Sequence, residues 1–194
     1  MGRRFQHERK RDPYYRAAQR EGLRSRAAFK LAYLSDRFPV LRPGDRVLDL
    51  GAAPGGWTVV ARERVGESGT VVSVDPRPME PVEGVRRVRG RVGDAELPAR
   101  LGPDRFTVIL SDMSPRISGA YATDHARSVD LVRAAIDLAE RVLAPGGRLV
   151  AKVFAGDLLD DLESELRRRF DRVQRSKPPA SREGSSELYL LAFG

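Results

Sequence analysis

The feature that most constrains this chain is the rhythm that sets in at residue 46. From there on, short apolar runs alternate with longer stretches of helical periodicity. RVLDL (46–50) reads as a buried strand, and a helix follows from Gly55 to Val65. TVVSVD (70–75), a weaker VRRVRG (85–90), FTVILSD (106–112) and RLVAKVF (148–154) read as four more strands. Residues 94–101 suit a short helix. Asp124 to Leu143 suits a long amphipathic one stopped by Pro145-Gly146-Gly147, and Asp157 to Phe170 a last one. RVQRSK (172–177) and ELYLLAF (187–193) close the chain with only a loop between them, so they are expected to pair antiparallel. Such alternation builds a mostly parallel sheet covered on both faces. The 194 residues suit one domain.

The turn after the first strand, LDLGAAPGGW (48–57), narrows the ligand. Ligands of open α/β sheets sit at the carboxyl ends of the strands, where this turn lies. Its spacing is G-x-x-x-G-G over Gly51, Gly55 and Gly56. Ala53 stands where a dinucleotide site needs its second glycine. A phosphate loop would need a Lys and a Ser or Thr after the last one. Asp49 precedes the turn, and a carboxylate there would repel a pyrophosphate. It would suit the ammonium group of S-adenosylmethionine, whose carboxylate the helix N-terminus after Pro54 could take. Asp75 ends the second strand, the place for an acid that bonds ribose hydroxyls. Asp112 ends the fourth. Three acids on three strand ends suit a sulfonium cofactor, although each alone could cap a turn or end a strand. Trp57 either anchors the cofactor loop or belongs to the core. The expected fold is therefore α/β, of the class I S-adenosylmethionine-dependent methyltransferase (Rossmann-like) type. It has a seven-stranded, mostly parallel sheet, helices on both faces and a C-terminal antiparallel hairpin.

Charge is unevenly placed. Residues 1–30 hold ten Arg or Lys against three acids, a balance of +7 out of a net +8. Such an arm suits the phosphates of a nucleic acid, and Phe5, Tyr14, Tyr15 and Phe29 between the charges could stack on bases. The plainer alternative is a solvated tail with two short helices packed on the domain. Residues 13–20 suit a helix opened by Pro13, and Ser25 could cap another running to Phe38. Residues 1–23 are expected to form a partly disordered basic arm, and 24–194 the catalytic domain. There is no membrane-length apolar run and no secretory signal pattern, so a cytoplasmic protein is expected. Cysteine is absent, which excludes disulfides and thiol chemistry. His7 and His125 are too isolated to suggest a metal, and His125 is expected on a helix surface.

Four of 35 basic residues are lysine: Lys10, Lys30, Lys152 and Lys177. Arginine cannot give up its proton and lysine can. Lys152 sits inside an apolar strand, a costly place for a charge unless it snorkels from the strand end. A second lysine nearby would favour release of its proton, and a carboxylate such as Glu187 would oppose it.

RSRAAFKL (24–31), LDLGAAPGGW, SDMSP (111–115), LAPGGRLVAKVF (143–154) and KPPASREGSSELYLLAFG (177–194) together closely resemble the FtsJ/RrmJ family. These are ribose 2′-O-methyltransferases, and the chain most resembles the RlmE-like members that act on large-subunit ribosomal RNA. The resemblance covers residues 24–194 and implies a Lys-Asp-Lys-Glu tetrad on Lys30, Asp112, Lys152 and Glu187. S-adenosylmethionine is the expected cofactor, no metal is required, and a monomer is expected. The implied target is a uridine ribose in the A-loop of large-subunit ribosomal RNA, within the large ribosomal subunit. Methylation of the tRNA anticodon loop is the alternative substrate. A nicotinamide oxidoreductase and a non-catalytic RNA-binding protein are the rival classes. There is one departure. Family members usually carry Gly-Asp after the third strand, near the adenine amine. Here RGRVGD places Arg91 there and leaves Asp94 as the acid that could substitute. Some archaeal relatives continue into an RNA-binding domain after the position of Gly194, so the arm is expected to carry more of the docking.

Overall fold

The computed structural model describes residues 12–182 and 184–194. Chain order is α1 (Pro13–Arg20), α2 (Ala27–Arg37), β1 (Arg46–Leu50), α3 (Gly56–Val65), β2 (Thr70–Asp75), β3 (Val85–Arg89), α4 (Leu97–Leu101), β4 (Phe106–Ser111), α5 (Tyr121–Val142), β5 (Leu143–Phe154), α6 (Leu159–Arg167), β6 (Arg172–Ser176) and β7 (Glu187–Phe193). The sheet order is β3-β2-β1-β4-β5-β7-β6. The first five strands are parallel, and β7 runs antiparallel between β5 and β6. The predicted sheet and hairpin are thus present. Among the described residues no helix is long and apolar enough to cross a membrane.

Two cores result from the period-two alternation of strand side chains. Leu48, Leu50, Val72, Ile109 and Leu149 meet α4, α5 and α6 on one face. Val47, Val71, Val108, Leu110, Val150 and Leu191 meet α2 and α3 on the other. At the amino-terminal edge of the parallel strands, Asp45 receives hydrogen bonds from Thr107 Oγ1 at 2.8 Å and Arg42 N at 2.6 Å. Its buried ion pair with Arg148 stitches β1 to β5.

Several boundaries differ from expectation for local reasons. Helix α5 begins three residues before Asp124, whose carboxylate instead ties down the preceding loop. Strand β5 starts at Leu143, because Leu143 pairs with Phe106 across an irregularity in the register. Helix α2 has Arg26 at its N-cap with no side-chain cap bond, so Ser25 is not the cap. Ser25 packs against Gly56 instead. Helix α1 forms as expected, with Asp12 accepting from Tyr14 N at 3.0 Å and Tyr15 N at 3.2 Å. Its Tyr14 ring lies 5.8 Å from Phe29, and Asp12 pairs with Arg26. Tyr14 and Phe29 therefore pack on each other, fastening α1 to α2. Phe5, His7 and Lys10 lie outside the described residues.

Candidate active site

Alternation also assembles the candidate site. Asp112, Lys152, Glu187 and Tyr189 share the parity of Leu110, Val150 and Leu191, so all face the α2/α3 side. The antiparallel β7 brings its first residues to the carboxyl end of β5, pairing Lys152 with Tyr189 and Phe154 with Glu187. Lys30 projects from α2 on the same face and is buried, as is Lys152. Lys152 Nζ donates to Asp112 O at 2.8 Å and lies 3.1 Å from Asp112 Oδ1. Lys30 pairs with Glu187. All four tetrad residues named from the sequence therefore meet.

Tyr189 joins the two pairs and was not singled out from the sequence. Its hydroxyl donates to Asp112 Oδ1 at 2.9 Å and lies 3.3 Å from Glu187 Oε1. Burial, then the Asp112 and Glu187 charges, push its pKa well above the usual value. The phenol therefore stays protonated and serves as a fixed donor between two carboxylates. Its ring lies 5.5 Å from Trp57, whose Nε1 donates to Ala27 O at 2.8 Å. Trp57 is thus a core residue that fixes α2, and through it Lys30. For Tyr189 the sequence offers only the alternation E-x-Y in ELYLLAF, which puts it on the face of Glu187; its place beside Asp112 comes from strand pairing.

The glycine turn has two geometric demands. Gly51 has φ 74°, and a Cβ there would meet Met113 Cγ at 2.7 Å. A Cβ on Gly56 would run into the Ser25 side chain, so this glycine lets α2 approach α3. Gly55, at φ 106°, faces the Arg24 side chain and Met79. Beyond the turn opens a crevice of about 530 Å³, whose walls include Gly51, Asp75, Arg91, Asp112 and Arg116.

The acids are placed differently from one another. Asp75 lies in the crevice wall. Burial would raise its pKa, but bonds from Arg77 and from Ala53 N (3.0 Å) outweigh this and hold it below the usual carboxylate range. Asp49 does not point into the crevice. It lies beneath the turn, fully buried, with Oδ2 accepting from Thr58 Oγ1 at 2.6 Å and Oδ1 without a partner. Burial pushes its pKa up to about 7. The Thr58 bond opposes this, and the Asp112 and Asp75 charges add to it. Asp94 does not reach the crevice either: it accepts from Arg91 N at 2.7 Å and borders a separate depression with Pro98 and Leu138. Arg91 itself stands in the crevice wall. His125, expected at the surface, is buried. Its Nδ1 donates to Phe154 O at 2.8 Å and its Nε2 accepts from Leu158 N at 3.0 Å, pinning the loop after β5.

Comparison with known proteins agrees with this architecture. A family model described as FtsJ-like methyltransferase matches residues 23–194. The ribosomal RNA large subunit methyltransferase E of Methanothermobacter thermautotrophicus is 45% identical over 98% of this chain and 93% of its own. The protein of the same name from Natronomonas pharaonis is 47% identical over 95% of this chain and 74% of its own. Among solved structures, a Plasmodium falciparum protein titled a ribosomal RNA methyltransferase superposes with a TM-score of 0.79 at 28% identity, covering 88% of this chain and 97% of that one. The fold, the crevice at the strand ends and these matches together place the chain in the FtsJ-like methyltransferase family.

Proposed function

We propose that this chain methylates the ribose 2′-hydroxyl of a uridine in the A-loop of large-subunit ribosomal RNA, acting as a cytoplasmic monomer on the large ribosomal subunit. The observation that carries the reading is the pair of ion pairs, Lys152–Asp112 and Lys30–Glu187, bridged by Tyr189 beside the crevice. The names of the relatives support ribosomal RNA as substrate.

S-adenosylmethionine suits a crevice that offers acids for its cationic groups and arginines, Arg77, Arg91 and Arg116, for its carboxylate side. Two acids, Asp75 and Asp112, stand in the wall, and the unpartnered oxygen of Asp49 lies below it. A pyrophosphate would meet the two wall acids. Gly51, Gly55 and Gly56 shape the turn, and the positive N-terminus of α3 would favour the ligand's carboxylate. Asp75 would take the ribose hydroxyls, while Trp57, a core residue, acts only through the position of α2. Asp94 cannot replace the missing family acid in the present loop, so Arg91 and its neighbours border the adenine. When bound, S-adenosylmethionine supplies an activated methyl group.

What remains for the chain's own residues is to hold the acceptor hydroxyl and take its proton. Lys152 does both. Asp112 presents two acceptors to its nitrogen, which fixes the direction left for the hydroxyl. Once it has released a proton, lysine offers a lone pair that arginine cannot. Lys30 and Glu187 bind the ribose from the α2 side, and Tyr189 keeps both carboxylates in register. The test compares labelled methyl incorporation into isolated tRNA, free ribosomal RNA and large ribosomal subunits. Incorporation into ribosomal RNA is expected; transfer to tRNA alone would overturn the target.

A further inference from the structure

Ile117 and Tyr121 are the exposed large hydrophobic residues among those described, each 60% exposed. Both lie on the segment that leaves Asp112 and enters α5. That segment is fixed rather than loose. Asp124 accepts from Ser118 N and Ser118 Oγ, both at 2.8 Å, and from Gly119 N at 3.0 Å. The Tyr121 hydroxyl donates to Ala155 O at 2.5 Å, three residues after Lys152. Its ring stacks on His125, with centroids 6.5 Å apart at 16°. Gly156 leaves room for the His125 ring, which a Cβ there would strike. An aromatic ring is thus held in place on one side and open to water on the other. It is tied to the two strand ends that carry Asp112 and Lys152.

Arginines stand beside it. Arg116, next to Ile117, lines the crevice. Arg127 Nη1 donates to Arg116 O at 3.4 Å and leaves the Arg116 guanidinium to solvent. The acid of this segment, Asp124, is buried and its oxygens are occupied. Apolar surface with Arg116 and Arg127 beside it complements a base flanked by phosphates, and the exposed acid nearby, Asp157, lies on the far side of Ala155 in the chain.

We propose that Tyr121 and Ile117 form a stacking platform for a nucleobase of the RNA substrate, beside the ribose held by Lys152 and Asp112, with Arg116 taking an adjacent phosphate. The proposal rests on the reading of the site as an RNA ribose methyltransferase. Stacking on a ring tolerates any base, so the platform sets affinity and register more than sequence.

The test uses the full chain, S-adenosylmethionine and a large-subunit ribosomal RNA transcript. Wild type is compared with Tyr121→Ala, Tyr121→Phe and Ile117→Ser. Readouts are the KM for RNA, kcat, cofactor Kd by calorimetry and mass by light scattering. Tyr121→Ala is expected to raise the RNA KM about tenfold or more, and Ile117→Ser about threefold. Tyr121→Phe keeps the ring and should stay within about twofold, and all three should leave cofactor Kd unchanged. Ile117 is largely exposed, so its substitution disturbs the fold less than that of Tyr121 and keeps the test sharp if Tyr121→Ala misfolds. An active wild type whose RNA KM is unmoved in Ile117→Ser and Tyr121→Ala overturns the platform alone. A wild type inactive on RNA overturns the functional reading and the platform with it. A dimer that Ile117→Ser dissociates would make this face a contact between copies and overturn the RNA platform.

Discussion

Asp49 carries a titration that the free protein must bear. Its pKa is raised from 3.8 to about 7 by burial. Between those values the native state holds a proton that the unfolded state has lost, so this group lowers stability as pH rises toward 7. Asp49→Asn keeps an acceptor for Thr58 and removes the charge. Its stability relative to wild type should therefore improve by about 2–3 kcal/mol between pH 5 and pH 8. Denaturant melts at both pH values check this; an equal difference at the two would contradict it. Lys152→Arg should lower kcat by about 100-fold or more while leaving cofactor affinity near wild type, because the charge remains but proton release does not. Lys152 was legible because a lysine inside RLVAKVF needs a reason. Tyr189 was not, because its role depends on β7 pairing beside β5, far from it in sequence. Nor was burial of His125, which depends on the close approach of Gly156.

At the scale of elements, α2 delivers Lys30 to the sheet, and the α2–α3 contact decides where it lands. Gly56 is the tight point, since a Cβ there would meet Ser25. Gly56→Ala is expected to cost about 1–3 kcal/mol and to lower kcat by displacing Lys30. Ser25→Ala should recover part of both, so the double variant should be non-additive. Additive losses would show that the contact is not shared. The sequence marks Gly56 as part of a ligand turn, and the packing demand is a second reason that only the helix arrangement displays. The strands were readable from their apolar runs. The start of β5 was not, because PGG looks like a break, yet Leu143 before it still pairs with Phe106.

Over the whole molecule, the charge is concentrated at the front: +7 in the first 30 residues, through the first turn of α2, and +1 beyond. RNA binding should weaken steeply with salt and cofactor binding little. Removing residues 1–20 should flatten the salt dependence of RNA affinity by about two units or more in log–log slope. An unchanged slope would take the arm out of RNA docking. Charge partition was visible in the sequence, whereas the use of Tyr14 and Phe29 to dock α1 on α2 was not, since basic-aromatic interleaving suits stacking and packing equally. The central claim is that the buried lysine pair directs a methyl group to a ribose oxygen of ribosomal RNA. The most direct measurement is mapping the alkali-resistant nucleotide in large ribosomal subunits after incubation with S-adenosylmethionine and either wild type or Lys152→Ala. One resistant uridine in the A-loop, present with wild type and absent with the variant, is predicted. A methylated base with an unprotected ribose, or the same resistant nucleotide with Lys152→Ala, would contradict it.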